Sequence, residues 1–292
     1  MSNLPPLRLA TRGSRQALGQ ANSVARAIEA ATGRAVELLL IETSGDVRQD
    51  VALHSIGGQG VFVKEVQRAV LDGKADIAVH SAKDLPSDLT NGLVIAAFTE
   101  RRSANDVLVG STLDGLAVGA TVASGSVRRR AQLAAVRPDL QFVELRGNID
   151  TRLSKIPDGG AIVMALAALE ILAMTERIDQ VLDLEAFIPA VGQGCVAVEC
   201  RTDDEATRSA LTSVDHAATR VAVQAERAFL GELGSGCSLP VAGHVKDARL
   251  HVFLADPDRG LHVTDVVALP EGPEATAEVA RAAARGLQER LG

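Results

Sequence analysis

The sequence predicts a three-part α/β protein, with two α/β domains whose sheets are mainly parallel and a smaller α+β domain at the C-terminus. Three observations point there. Short apolar strands recur ahead of helical stretches through most of the first 200 residues, the pattern of strands joined by crossover helices. The segment strand-Thr11-Arg12-Gly13-Ser14-helix has a weak counterpart in strand-Ser124-Gly125-Ser126-Val127-Arg128-helix, as two domains presenting helix N-termini alike would have. From about residue 217 the pattern changes to a helix, a strand meander and a closing helix.

In chain order, LRLAT is followed by Ser14 and a helix to about Ala31, with Gly33 suited to a left-handed stop because it has no Cβ. VELLLIE, ADIAVH and LVIAAF are further strands, and Gly73 ends the helix before the second of these. TVAS leads into a helix from Val127, and QFVELRG and AIVMA follow. VAVECR reads as a strand returning to the first domain, with a helix after it that finishes near Asp215. The last part comprises the helix TRVAVQAERAFLGEL, the loop GSGCSLP, a meander turned at DPDRG and the helix EATAEVARAAARGLQERL, an antiparallel sheet with helices on one face. The chain crosses between domains near Arg101 to Asn105 and again near Gly192 to Gly194. Domain 1 is therefore expected at 1–100 plus about 196–216, domain 2 at 104–193 and domain 3 at 218–292.

Composition narrows the function. The 292 residues are 47% hydrophobic and 23% charged, ordinary for a globular chain and unlike a disordered or membrane protein. Six Phe with no Trp or Tyr leave few stacking platforms, and a net charge of −7 gives no basic footprint, so nucleic acid is not an expected partner. Cys195, Cys200 and Cys237 match no metal-ligand spacing and cannot all pair, which fits a reducing compartment. The N-terminus has no apolar leader and breaks at Pro5 and Pro6. The longest apolar run, Ala161 to Leu169, is far short of the roughly 20 residues that span a bilayer. A cytoplasmic protein with no membrane partner is expected.

Three strand ends carry arginine. Arg128, Arg129 and Arg130 open the helix after Ser126, where the macrodipole already carries about half a positive charge. That placement is costly unless an anion binds there between the backbone N–H groups, the hydroxyls and the guanidinium forks. Arg12 and Arg15 flank Ser14, and Arg146 and Arg152 flank Asn148 in LRGNIDTR. The alternative for any one of them is a solvated charged turn. DIAVHSAKDLP sets His80, Ser81, Lys83 and Asp84 just beyond an apolar strand, where open α/β sheets bind ligands. Asp84 there could stabilise a developing cation, or it could be a turn residue before Pro86 with His80 in the core. Residues 42–60 form a polar stretch with three glycines near its end, either a lid or a surface excursion. Its GGQG matches neither nucleotide-binding glycine pattern. Cys237, with glycines before it and Pro240 after it, suits an exposed turn and a reactive or modified thiol. Cys195 and Cys200 suit buried, inert ones.

Taken together, LATRGSRQALGQA, VELLLIETSGD, GVFVKE, DIAVHSAKDLP, SVRRRAQL, LRGNIDTRLSK, PAVGQG and GSGCSLP resemble the hydroxymethylbilane synthase (porphobilinogen deaminase) family, in the family's order and over nearly the whole chain. The resemblance implies two periplasmic-binding-protein-like α/β domains and a smaller α+β domain. The active cleft would lie between the first two, with a cysteine on a loop of the third. It implies a dipyrromethane cofactor joined through a thioether to Cys237, with no metal and no nucleotide. Asp84 matches the catalytic aspartate. Ser81, Lys83, Asp84, Ser126, Arg128, Arg129, Arg146 and Gly147 match positions that hold the cofactor, and Arg12, Ser14, Arg146 and Arg152 match positions that hold substrate carboxylates. The implied reaction is a transferase chemistry of tetrapyrrole and heme biosynthesis: four porphobilinogen molecules are deaminated and condensed, then released by hydrolysis from a monomeric enzyme. Arginine suits this work, because every pyrrole carries two carboxylates and guanidinium stays protonated.

The sequence also departs from the family pattern. Ser124-Gly125-Ser126 stands for the usual Thr-Ser-Ser, Ser55 and Gln59 occupy lid positions that are often lysine, and Glu170-Ile171 stands where a basic residue is common. Two other readings use the same residues: a non-catalytic binder of small anions and a catalytically impaired paralogue. A covalently loaded Cys237 separates the binder from the enzyme.

Overall fold

The chain forms thirteen strands and eight α-helices among the residues that the computed structural model describes, 5–43, 63–234 and 239–292. They are β1 (Leu7–Arg12), α1 (Arg15–Thr32), β2 (Val36–Ile41), α2 (Lys64–Leu71), β3 (Ile77–Ser81), β4 (Leu93–Phe98), β5 (Asp106–Val109), β6 (Thr121–Ala123), α3 (Val127–Val136), β7 (Gln141–Val143) and α4 (Ile149–Leu153). There follow β8 (Ala161–Ala165), α5 (Leu166–Ile171), β9 (Gln180–Val181), β10 (Val196–Arg201), α6 (Glu205–Leu211), α7 (Ala217–Glu232), β11 (Val241–Lys246), β12 (Arg249–Asp256), β13 (Leu261–Ala268) and α8 (Pro273–Leu291). Most of residues 42–60, with Ser55 and Gln59, lies outside the described residues, as does Cys237. Among the described residues no helix is long and apolar enough to cross a membrane.

Chain contacts divide these elements into two units. The first holds residues 5–43, 63–102 and Cys195–Val221, and the second holds Ser103–Gly194 and the described residues after 221. In the first unit the sheet order is β2-β1-β3-β10-β4. Alternation along β1 sends Leu7 and Leu9 to one face, against Val24 and Ile28 of α1, and Ala10 to the other, against Val66 and Val70 of α2. Helix α1 is stopped by Gly33 as expected. That residue takes the left-handed conformation at φ 66° and donates its N–H to the Glu29 carbonyl.

The second unit contains another five-stranded sheet, β7-β6-β8-β5-β9, and a three-stranded one, β11-β12-β13. The two α/β sheets and the small antiparallel sheet give the fold class that the sequence predicts. The expectation of mainly parallel sheets is corrected. In each five-stranded sheet two pairings are parallel and two antiparallel, the latter made by β10 with β3 and β4 and by β5 with β8 and β9. Parallel neighbours need a crossover within their own sheet. Strands β5 and β10 each arrive directly after a crossing between units, with no such crossover.

In the three-stranded sheet, Leu250, Val252 and Leu254 of β12 pack on Phe229 and Leu233 of α7 and on Ala280, Ala284 and Leu287 of α8. The opposite face is covered too, with Phe253 and Ala255 meeting Ile188 from the segment that leaves the five-stranded sheet. A fully buried carboxylate joins these parts. Glu226 of α7 accepts the backbone N–H of Gly192 and that of Val245, each at 2.8 Å. Replacing Glu226 with Leu strands one buried and one half-buried donor, so Glu226→Leu is expected to cost about 2–5 kcal/mol of stability. The readout is a lower denaturant midpoint at unchanged slope.

Candidate active site

In the first unit the site grows from the ends of β1 and β3. Strand β1 delivers Arg12, and Ser14 caps the helix that follows, its hydroxyl accepting the Ala17 N–H at 3.3 Å. Strand β3 is buried from Ile77 to His80 and runs into one 3-10 turn, Ala82–Asp84. Ala82 and Leu85 of that turn are buried, Lys83 is half-buried and Asp84 is exposed. The apolar members thus anchor the turn and leave the carboxylate outside. Arg12, Ser14, Gln20, His80, Ser81 and Asp84 line one small cleft of about 60 Å³. Gln20 fixes Ser81 with its amide at 2.9 Å from the hydroxyl. Asp84 takes no hydrogen bond or ion pair from any described residue.

Beneath this cleft lies a polar network that sequence reasoning missed. His80 Nε2 stands 3.1 Å from Glu199 Oε2, with both side chains almost wholly buried. The Gln67 amide donates to both Glu199 oxygens at 2.9 and 3.1 Å, and Gln67 in turn accepts from the Thr90 hydroxyl. The signal was present: Glu199 is an acid in the middle of VAVECR, and such a residue needs a buried partner. Cys200 beside it is raised to about 11 by burial, with Asp204 next in effect. Cys195 and Cys200 are both buried free thiols.

In the second unit Ser126 caps α3, its hydroxyl accepting the Arg129 N–H at 3.4 Å. The arginines of that helix are not left to solvent. Arg128 Nη2 donates to Asp106 Oδ2 at 2.7 Å, and Arg129 donates through Nε and Nη2 to Asp106 Oδ1 at 3.0 and 2.6 Å. Their remaining bonds run to the Ile188 and Val163 carbonyls. Asp106 is wholly buried and also accepts from Gln193 at 2.9 Å. The expectation that these charges stay uncompensated until an external anion arrives is therefore corrected, because Asp106 supplies an internal one. Nor do Arg128 and Arg129 project from the surface; both are buried. Burial, opposed by Asp106, holds the Arg128 guanidinium below its usual range, and Arg129 adds to the lowering. Two cations on one carboxylate still leave one net positive charge. Of five N–H groups on each guanidinium, Arg128 uses two and Arg129 three on described residues.

Arg130 turns the other way, donating to the Ser124 carbonyl and to Glu144. Arg146 follows β7 and is half-buried. Its Nη1 is fully buried with no hydrogen-bond partner among the described residues. Gly147 after it has φ 115°, Asn148 caps α4, and Arg152 Nε returns to the Gly147 carbonyl at 2.8 Å. Glu170 and Ile171 end α5, both half-buried. Arg12, Ser14, Ser81 and Asp84 thus meet in the first unit, with Lys83 on the same turn. Ser126, Arg128, Arg129, Arg146, Gly147 and Arg152 belong to the second.

Family models match most of the chain. One described as porphobilinogen deaminase, dipyromethane cofactor binding domain, covers residues 7–209, and one described as porphobilinogen deaminase, C-terminal domain, covers 220–285. The chain belongs to the porphobilinogen deaminase family. A porphobilinogen deaminase of Nitratidesulfovibrio vulgaris (strain DSM 19637 / Miyazaki F) is 47% identical over 242 residues, 81% of this chain and 76% of the relative. One from Thermobifida fusca (strain YX) is 44% identical over 283 residues, 92% and 88% of the two chains. Among solved structures, a TRAP periplasmic solute binding protein from Desulfovibrio salexigens DSM2638 aligns with a TM-score of 0.44 and 12% identity over 72% of each chain. Asp84, Arg12, Arg128, Arg129, Arg146 and Arg152 fall inside the porphobilinogen deaminase cofactor-domain match, and Cys237 falls inside the C-terminal match.

The geometry separates two aspartates by role. Asp106→Asn leaves two buried guanidiniums without their counter-charge and is expected to cost about 3–5 kcal/mol of stability. Asp84→Asn, on an exposed carboxylate without a partner among the described residues, should stay within about 0.5 kcal/mol of wild type. Thermal and denaturant unfolding of the two variants measure the contrast.

Proposed function

We propose that this chain deaminates four porphobilinogen molecules and joins them head to tail on a dipyrromethane cofactor held by Cys237, then releases hydroxymethylbilane by hydrolysis. The observation that carries this reading is Asp84, an exposed carboxylate with no described protein partner, in one cleft with Arg12 and Ser14. A carboxylate held this way serves a cationic or N–H-donating ligand, and the nearby arginine and capped helix N-terminus serve that ligand's own carboxylates.

The residues present suit the cofactor on a second count. Arg146 Nη1 is buried and lacks an acceptor among the described residues, which a pyrrole carboxylate would supply. Cys237 would hold the group through a thioether. Ser81, Lys83, Ser126, Arg128, Arg129, Arg146 and Gly147 would line it, with Asp84 at its ring N–H groups. When bound, the dipyrromethane supplies the nucleophilic carbon on which the pyrrole chain is extended. Arg12, Ser14, Arg146 and Arg152 would hold porphobilinogen by its acetate and propionate arms, and Asp84 would stabilise the positive charge that develops as ammonia leaves. Arg128 and Arg129 keep donors unused by any described residue and one net charge, so their contribution is to hold carboxylates from a rigid mount rather than by a mobile fork. A reducing, cytoplasmic setting is supported by the free thiols Cys195 and Cys200. The reading includes a monomer.

Peptide mapping of the purified chain is expected to find the pyrrole mass on Cys237 and none on Cys195 or Cys200, whose burial keeps them from reaction. An unmodified Cys237 in protein exposed to porphobilinogen would favour a non-catalytic binder.

Asp84→Asn keeps the shape and removes the charge. In protein whose cofactor loading is verified by mass, it is expected to slow tetrapyrrole formation about 10²- to 10³-fold, the effect of losing one preorganised electrostatic partner. A rate within a few-fold of wild type would remove Asp84 from the chemistry.

A further inference from the structure

We infer that Gln132 is a positioning residue: it clamps Ile188, and through Ile188 it fixes the Arg128 guanidinium to the elements that flank Cys237 in the chain. The inference rests on the reading of Arg128 and Cys237 as anchors of the cofactor. Arg128 and Gln132 stand one turn apart on α3 and so share a face. The Gln132 amide pairs with the Ile188 backbone twice. Its Nε2 donates to the Ile188 carbonyl at 2.9 Å, and its Oε1 accepts the Ile188 N–H at 2.7 Å. Arg128 Nη1 donates to the same carbonyl at 2.8 Å, and the Phe187 ring centre lies 5.9 Å from the guanidinium carbon. The guanidinium is thus held at two points, Nη2 on Asp106 of β5 and Nη1 on Ile188. The second point is only as firm as the clamp behind it.

The Ile188 side chain belongs to the small sheet. It packs with Ala242 of β11 and with Phe253 and Ala255 of β12, all buried. The next residue, Pro189, accepts the Gly243 N–H of β11 at 3.1 Å, and Gly192 beyond it is held by Glu226 of α7. Cys237 lies in the chain between the end of α7 at Glu232 and the start of β11 at Val241. Ile188 therefore joins α3 to β11, and Glu226 extends the join to α7. Gln132 is only 3% exposed, and a hydrocarbon side chain of its length would fill the same space. What the amide adds is a donor and an acceptor that grip one residue at once. A cofactor bonded to Cys237 and held by its carboxylates at Arg128 needs a set spacing between the two. Misplacements near 1 Å cost positioned sites about 100-fold.

The test compares Gln132→Met, which keeps the volume and removes both bonds, with Ile188→Ala, which keeps the bonds and removes the grip of the small sheet, and with the double variant. Full-length chain is purified from cells that make no porphobilinogen. Two reactions of Cys237 are then read by peptide mass: loading during titration with porphobilinogen, and alkylation by iodoacetamide. Each single variant is expected to fold, by circular dichroism, and to raise the half-loading concentration about 10- to 100-fold. The double variant should lie within about 3-fold of the worse single one, because both substitutions break one linkage. Alkylation should stay within about 2-fold of the wild-type rate, since a small neutral reagent needs the thiol and not the arginine. Near-normal loading by either folded single variant, losses that multiply in the double variant, or alkylation altered as much as loading would each overturn the inference. If one single variant fails to fold, the other decides. If neither folds the inference is overturned, since the clamp then serves the domain and not the site. A wild-type chain that gains no pyrrole mass on Cys237 would instead sink the reading on which the inference stands.

Discussion

The second unit is organised around one buried carboxylate. Asp106 has no exposed surface, opens strand β5, and accepts from Arg128, Arg129 and Gln193 at once. A lone ionised Asp there would be prohibitive, and two buried arginines without it equally so. Together they hold the first turn of α3 against β5 and β8, and they tie Gln193, in the segment that leaves the unit, to the same point. This anchoring fixes where the remaining guanidinium N–H groups can point, so the unit can present positive charge without long, mobile side chains.

Much of this was legible in the sequence because the deciding physics is local. Ser14, Ser126 and Asn148 are oxygen-bearing residues at strand-to-helix junctions and cap as such residues do. Gly33 stops its helix in the left-handed conformation. The cluster Arg12, Ser14, Ser81, Asp84 was readable as well, since each lies at a strand end and strand ends gather at one edge of a sheet. The cofactor-domain motifs were recognisable because they occur in order.

What was not legible depends on partners far apart in the chain. Nothing near Arg128 announces that its counter-ion lies 22 positions earlier, and the run of three arginines therefore read as an excess charge awaiting a ligand. Gly125 read as a departure from a motif, and its close approach to the Leu145 carbonyl shows only in the structure. The antiparallel strands escaped for a topological reason: an apolar strand looks the same whichever way it enters a sheet.

That topology has a consequence for how the chain is made. In the order β2-β1-β3-β10-β4, strand β4 touches the rest of its sheet only through β10. About 100 residues separate the end of β4 from the start of β10, which at a ribosomal rate of about 5–20 residues per second is roughly 5–20 s of synthesis. Throughout that interval the emerging first unit has an open edge on β3 and an orphan strand in β4, a state inviting pairing with other chains. Its sheet can be sealed only after the whole five-stranded sheet of the second unit has left the ribosome, so the part of this protein that is made first cannot close its sheet first.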